Sequence, residues 1–144
     1  MKLIKSVRQI TKIILHCTAT PEGRDVDAEE ITRWHKNIGW RNNGYHYIVK
    51  LDGTIEEGRS VQMVGAHTKG HNVGSIGVVY VGGCDKNMKP KDTRTPEQDF
   101  VLTNLLSALL EMYPLAKLHG HNEFANKACP SFDVQEEYNF LINK

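Results

Sequence analysis

Nothing in this sequence offers a disulfide framework. Its three cysteines, Cys17, Cys84 and Cys129, are an odd and sparse set that suits a reducing compartment and leaves at least one thiol to be buried, reactive or bound to metal. Charge of one sign is equally scarce: 18 Lys and Arg stand against 17 Asp and Glu, for a formal net charge of +1. A nucleic-acid partner would call for a basic stripe or a strongly basic domain, so none is expected. No apolar run approaches the roughly 20 residues that span a bilayer, which excludes membrane insertion by a helix. In the N-terminal stretch MKLIKSVRQITKIILHCTA, Arg8 and Lys12 interrupt the apolar residues and leave no h-region for a secretory signal. The chain is therefore expected to be made in the cytoplasm without a leader. His-Glu-x-x-His, Gly-x-Ser-x-Gly and the phosphate-binding Gly-Lys-Ser/Thr loop are also missing, which removes the commonest metalloprotease, hydrolase and nucleotide signatures.

What is present describes an ordinary globular chain. Its 144 residues, 40% hydrophobic and 24% charged, fit one domain over residues 1–144 with a real core. TKIILHC (11–17) reads as a buried strand, followed by the loop TATPEGRD. Asp27 with Glu30 forms a capping box, and Ile31, Trp34, His35 and Ile38 then share one helical face up to Gly39. YHYIVKL and TIEEG flank Asp52-Gly53, a strong hairpin signal. SIGVVYV (75–81) reads as a second buried strand, closed by Gly82-Gly83. Thr95-Pro96-Glu97-Gln98 opens a long helix, with Phe100, Val101, Leu105, Leu109 and Met112 as its apolar face. A short strand, AKLH, follows Pro114, and a last helix runs from about Asp133 to Leu141. Strands interleaved with helices, plus one hairpin, predict an α/β fold with a mixed sheet covered by helices.

Seven histidines are a generous supply, and most have a plain structural reading. His35, on the apolar face beside Trp34, reads as a satisfied core histidine. His46 and Tyr45 are strand neighbours, so only one of them can face a given site. His71, in a Gly-rich loop, reads as solvated. His16 differs because it ends a buried strand where a loop begins, the position at which such sheets collect ligands. Its neighbour Cys17 points to the other face and belongs to the core. Near the C-terminus, HGHNEFANKACPSF (119–132) holds His119, His121, Lys127 and Cys129. With His16 this makes a His₂Cys set, and three protein ligands with an open fourth position mark a catalytic metal site. On an extended strand His119 and His121 face the same way, so spacing leaves either one as the ligand. Two rivals use the same residues: a cysteine–histidine nucleophile pair, and a structural zinc site closed by a fourth protein ligand. The first lacks a helix N-terminus at the cysteine, and the second lacks a Cys-x-x-Cys or His-x-x-x-His partner.

Over nearly its whole length, and in order, the chain resembles the phage-lysozyme-type N-acetylmuramoyl-L-alanine amidases, which share the fold of the peptidoglycan recognition proteins. The resemblance runs through IILHCTAT, ITRWHKNIGW, GYHYIVKLDGTIEEGR, GAHTKGHNVGSIGVVYVGG and HNEFANKACPSF. It implies Zn2+ as cofactor, with His16, His121 and Cys129 as ligands, and so selects His121 over His119. It implies Tyr45 and Lys127 as catalytic residues beside the metal, with His46 turned into the core. His67 and Asn72 fall in its substrate-side loop. The implied partner is peptidoglycan, cut at the amide between N-acetylmuramic acid and L-alanine by a monomeric, endolysin-like enzyme that reaches the wall by a separate export route. The same fold also carries non-catalytic peptidoglycan-binding modules, and an intact cysteine ligand with Tyr45 and Lys127 argues for a catalyst. The first ten residues match poorly, which gives no support to a polymerase-inhibiting role.

Overall fold

The computed structural model describes residues 2–143. Its strands are β1 (Lys12–Cys17), β2 (Thr20–Pro21), β3 (Tyr47–Val49), β4 (Ile55–Glu57), β5 (Ser75–Tyr80), β6 (Gly83–Cys84) and β7 (Lys117–Gly120). Its α-helices are α1 (Ala28–Asn37), α2 (Pro96–Met112), α3 (Val134–Glu137) and α4 (Asn139–Ile142), and a 3₁₀ turn spans His121–Glu123. Five strands form a mixed sheet in the order β4-β3-β5-β1-β7. β1 runs parallel to both β5 and β7, β3 parallel to β5, and β3–β4 is the antiparallel hairpin across Asp52-Gly53. The mixed, helix-covered sheet is the architecture the sequence predicts.

Period-2 alternation sorts β1 between two cores. Ile13, Leu15 and Cys17 join the cluster that packs beneath α2, together with Ile76, Val78 and Tyr80 of β5. The opposite sheet face carries Ile48, Val79 and Val81 against Ile31 of α1, and His16 lies on this side by parity. α2 opens with a full capping box, Thr95 accepting from the Gln98 N–H and Gln98 accepting from the Thr95 N–H. Gln98 does more than cap. Its buried amide nitrogen also donates to the Val49 and Val81 carbonyls, so it ties the helix start to the ends of β3 and β5.

Four features depart from the sequence expectation, the first being Ile38, which is the exposed C-cap of α1 and no part of its buried face. The buried stripe of α2 is Gln98, Leu102, Leu105, Leu106 and Leu109, whereas Phe100 is 70% exposed. At 100° per residue Phe100 stands some 200° from Gln98, on the opposite side of the helix. The C-terminal helix is two short ones, broken at Tyr138 (φ −112°, ψ 23°), whose ring is buried and whose hydroxyl donates to Asp99. The loop after β1 is partly a strand: Thr20–Pro21 pairs in parallel with Gly83–Cys84, a match too short to leave a periodic signal. Among the described residues no helix is long and apolar enough to cross a membrane.

Candidate metal centre

The site lies at the C-terminal ends of β1, β5 and β7, where parallel strands release their chains into loops. His16 is delivered by β1 and is 1% exposed. His119 and His121 part company because β7 ends at Gly120 and His121 opens the 3₁₀ turn, so strand parity stops applying between them. His119 pairs with Glu123 at 2.8 Å, while His121 turns inward until its ring centroid lies 4.6 Å from that of His16. Cys129 completes the cluster. One ligand atom from each of His16, His121 and Cys129 lies within 4.8 Å of the others, and His16 Nδ1 is 3.8 Å from Cys129 Sγ.

The turn carrying Cys129 is held by bonds to the sheet. The Tyr80 hydroxyl donates to the Pro130 carbonyl at 2.6 Å, Ser131 Oγ donates to the Gly83 carbonyl at 2.7 Å, and the Cys17 N–H points at Cys129 Sγ at 3.2 Å. Cys17 is a core residue as expected, yet its thiol also reaches Cys129. Because the two thiols are neighbours, with Cys129 Sγ 3.2 Å from the Cys17 nitrogen and 3.8 Å from its carbonyl oxygen, ionising one makes ionising the other harder. The neighbouring Cys129 lowers the Cys17 thiol to about 7, and the neighbouring Cys17 and burial push the Cys129 thiol up. The Cys17 N–H and the nearby Lys127 ammonium both favour negative charge on Cys129, so a cation at its sulfur draws the thiolate there.

The donor set fits a zinc ion. Burial, more than any neighbour, pushes both His16 and His121 below the usual imidazole range, with Lys127 adding to the shift in each. Both rings are thereby kept neutral, as metal ligands must be. Two imidazoles and a thiolate are zinc ligands by softness and geometry, and a tetrahedral ion would hold such donors roughly 3.5 Å apart. A groove of about 640 Å³ opens over the cluster, lined by Trp40, His67, Lys69, Asn72, Phe124 and Lys127 among others.

Tyr45 stands beside the cluster, its ring centroid 5.2 Å from that of His16. Burial, followed by the nearby Cys129 and Cys17, pushes its phenol well above the usual range, so it is a donor rather than a base at neutral pH. His67 and Asn72 line the groove, but their polar atoms face inward. Asn72 Oδ1 accepts from the His67 and Thr68 N–H groups at 2.9 and 2.8 Å. His67 bonds His16, Thr68 and Ser75 through its ring, contacts to residues as far as 51 positions away that no local pattern announces. His35 accepts the Gly44 N–H and is satisfied, as its position on α1 predicts. His71 is not simply solvated, since its ring stacks on Phe124 at 4.2 Å.

His46 is fully buried, accepts the Gly77 N–H at Nδ1 and donates from Nε2 to the Met63 carbonyl. Burial, with Arg8 and Arg59 nearby, lowers it from 6.5 to about 4 despite the Met63 bond. Its folded value lies below its unfolded one, so the unfolded chain protonates first and stability falls as pH drops from 6.5 to about 4. The loss from this one group at pH 5 is roughly 2 kcal/mol. Urea midpoints at pH 7 and pH 5 measure it, and His46→Gln should flatten that part of the pH dependence. An unchanged slope in the variant would assign the acid sensitivity elsewhere.

Comparison with known proteins gives the family of the chain. The N-acetylmuramoyl-L-alanine amidase (Amidase_2) family matches residues 6–132. The endolysin of Escherichia phage T7 is 49% identical over 132 residues, covering 90% of this chain and 87% of its own. Among solved structures, the endolysin amidase LysCS from Clostridium intestinale superposes with a TM-score of 0.77 at 24% identity, over 96% of this chain and 93% of that one. Drosophila peptidoglycan recognition protein LB does so with a TM-score of 0.76 at 22% identity, over 96% and 84%. These two structures show the shared fold. The chain belongs to the N-acetylmuramoyl-L-alanine amidase family and is an amide hydrolase of peptidoglycan.

Proposed function

We propose that this amidase is a zinc enzyme with His16, His121 and Cys129 as ligands, acting as an endolysin on the bond between N-acetylmuramic acid and L-alanine. The observation that carries this reading is the convergence of the three ligand atoms within 4.8 Å, beneath a groove lined by Lys127. When bound, zinc polarises the scissile carbonyl and acidifies a water towards a pKa of about 7. The chain's own residues supply the rest. Lys127 brings a positive charge to the groove wall, where it can hold the oxyanion that develops as the amide carbonyl is attacked. Tyr45 keeps its phenolic proton and orients the attacking water by hydrogen bonding. His67 and Asn72 shape the groove wall on the side where the muramyl peptide lies. Monomeric action and a separate export route to the wall belong to the same reading.

The test is release of new L-alanine amino termini from purified sacculi, with and without a chelator. Chelator-sensitive release, restored by added zinc, is the expected result. Activity indifferent to the chelator would remove zinc from the reading. Binding to sacculi without release would favour a peptidoglycan-binding module on the same fold.

A further inference from the structure

His16 has two ring nitrogens with different neighbours, and the structure determines which one carries the proton. Nδ1 faces Cys129 Sγ at 3.8 Å. Nε2 faces His67 Nδ1 at 2.9 Å. Two nitrogens this close need one proton between them, and the rest of the chain of contacts decides its owner. Ser75 Oγ lies 3.0 Å from the Asn72 carbonyl oxygen and 3.2 Å from His67 Nε2. A carbonyl oxygen only accepts, so the single hydroxyl proton of Ser75 goes to Asn72. Ser75 Oγ must then accept from His67 Nε2–H. That leaves His67 Nδ1 bare, able to accept from His16 Nε2–H, and leaves His16 Nδ1 bare towards Cys129. Thr68 Oγ1, 2.9 Å from His67 Nδ1 and 3.3 Å from His16 Nε2, fits the same assignment by donating to the first and accepting from the second. The reverse assignment would face two oxygens across 3.0 Å with no proton between them.

The His67 ring has little freedom to leave this arrangement. It lies between Gly65 and Gly77, and a Cβ on either would come within 2.7 Å of its ring carbons. Both positions need glycine because the imidazole occupies the space of a side chain. Gly77 and Ser75 are on the β5 face that continues the His16 side of β1, Gly77 opposite Ile14 and Val79 opposite His16. The sheet register therefore places the support directly behind the histidine.

We infer that His67 and Ser75 are positioning residues: a one-way chain of hydrogen bonds ending on the Asn72 carbonyl holds His16 as the Nε2–H tautomer, with Nδ1 presented for a metal. The inference rests on the reading of His16 as a zinc ligand. Supports of this kind typically change metal affinity by about 10–100-fold when removed. The experiment combines 15N spectra of the histidine rings in the zinc-free protein with zinc affinities from chelator competition, for wild type, Ser75→Ala, His67→Leu and His67→Asn. In wild type the His16 resonances should report Nε2–H. Ser75→Ala, which removes only a hydroxyl, should mix the His67 and His16 tautomers and weaken zinc about 10-fold. His67→Leu should weaken it further. His67→Asn, whose side-chain oxygen stands where Nδ1 was, should recover most of the affinity, a rescue that simple loss of packing would not produce. A wild-type His16 found as Nδ1–H, or His67→Leu binding zinc within twofold of wild type, overturns the inference. A wild type that shows Nε2–H but takes up no zinc would sink the zinc reading and leave the hydrogen-bond chain standing.

Discussion

Lys127→Ala is expected to lower turnover on peptidoglycan by about 10²–10³-fold, the range for losing one oxyanion-stabilising group, while leaving zinc bound. Lys127 is exposed on the groove wall, and its charge reaches inward far enough to push His16 and His121 down, behind the larger effect of burial. That combination suits a group meeting charge that develops on a bound substrate. A ligand, by contrast, is turned into the cluster as Cys129 is. Cys129→Ser replaces a soft thiolate by a hydroxyl and should lose zinc affinity and turnover together. The separation is read by titrating zinc into both variants and by measuring kcat and KM on sacculi or a muramyl peptide. An effect of Lys127→Ala on kcat with KM little changed marks loss of an interaction made in the transition state. Equal zinc loss in the two variants would end this division of roles.

Much of the fold is legible in the sequence, and the places where the fold and the site are not have a common cause. β1 is visible as a β-branched run whose last residues put His16 and Cys17 on opposite faces, and the Thr95–Gln98 box announces α2 because both partners lie within one turn. The choice between His119 and His121 is invisible, since it depends on β7 ending at Gly120 and on the 3₁₀ turn that follows, and a single glycine does not announce which way the next side chain turns. His67 shows only as a loop residue near Asn72. Its partners are His16, 51 residues away, and Ser75, which meets it because β5 lies beside β1. Local rules of capping, turn and alternation cover neighbours along the chain. Where a role depends on a side chain delivered from another strand, only the sheet register reveals it. The same limit hides the partners of Arg94, the one arginine in the chain's C-terminal half.

Arg94→Ala is expected to cost about 3 kcal/mol of stability, roughly 10 °C in Tm for a chain of this size. The Arg94 side chain is only 8% exposed and joins four partners from three segments. Nη2 meets Asp92 at 2.8 Å and Glu137 at 2.7 Å, and Nη1 meets Asp99 at 2.9 Å and the Tyr138 hydroxyl at 2.8 Å. Its guanidinium also lies 3.8 Å over the Phe132 ring, which adds cation–π attraction in a largely dry setting. The carboxylates are partly exposed and can return to water, so the cost falls at the low end of the range for a broken buried pair. Arg94→Lys keeps the charge but cannot fork to four partners, and should recover less than half of the loss. The consequence extends to the site, because Phe132 lies three residues beyond Cys129 and packs near Tyr80, whose hydroxyl holds the Pro130 carbonyl. Zinc affinity in Arg94→Ala should therefore fall measurably even at temperatures where the variant is fully folded. Urea melts give the first quantity and chelator competition the second. A variant within 0.5 kcal/mol of wild type, by the ordinary scatter of surface substitutions, would show that water replaces the guanidinium without cost. An unchanged zinc affinity in a destabilised variant would confine Arg94 to the α2–α3 junction.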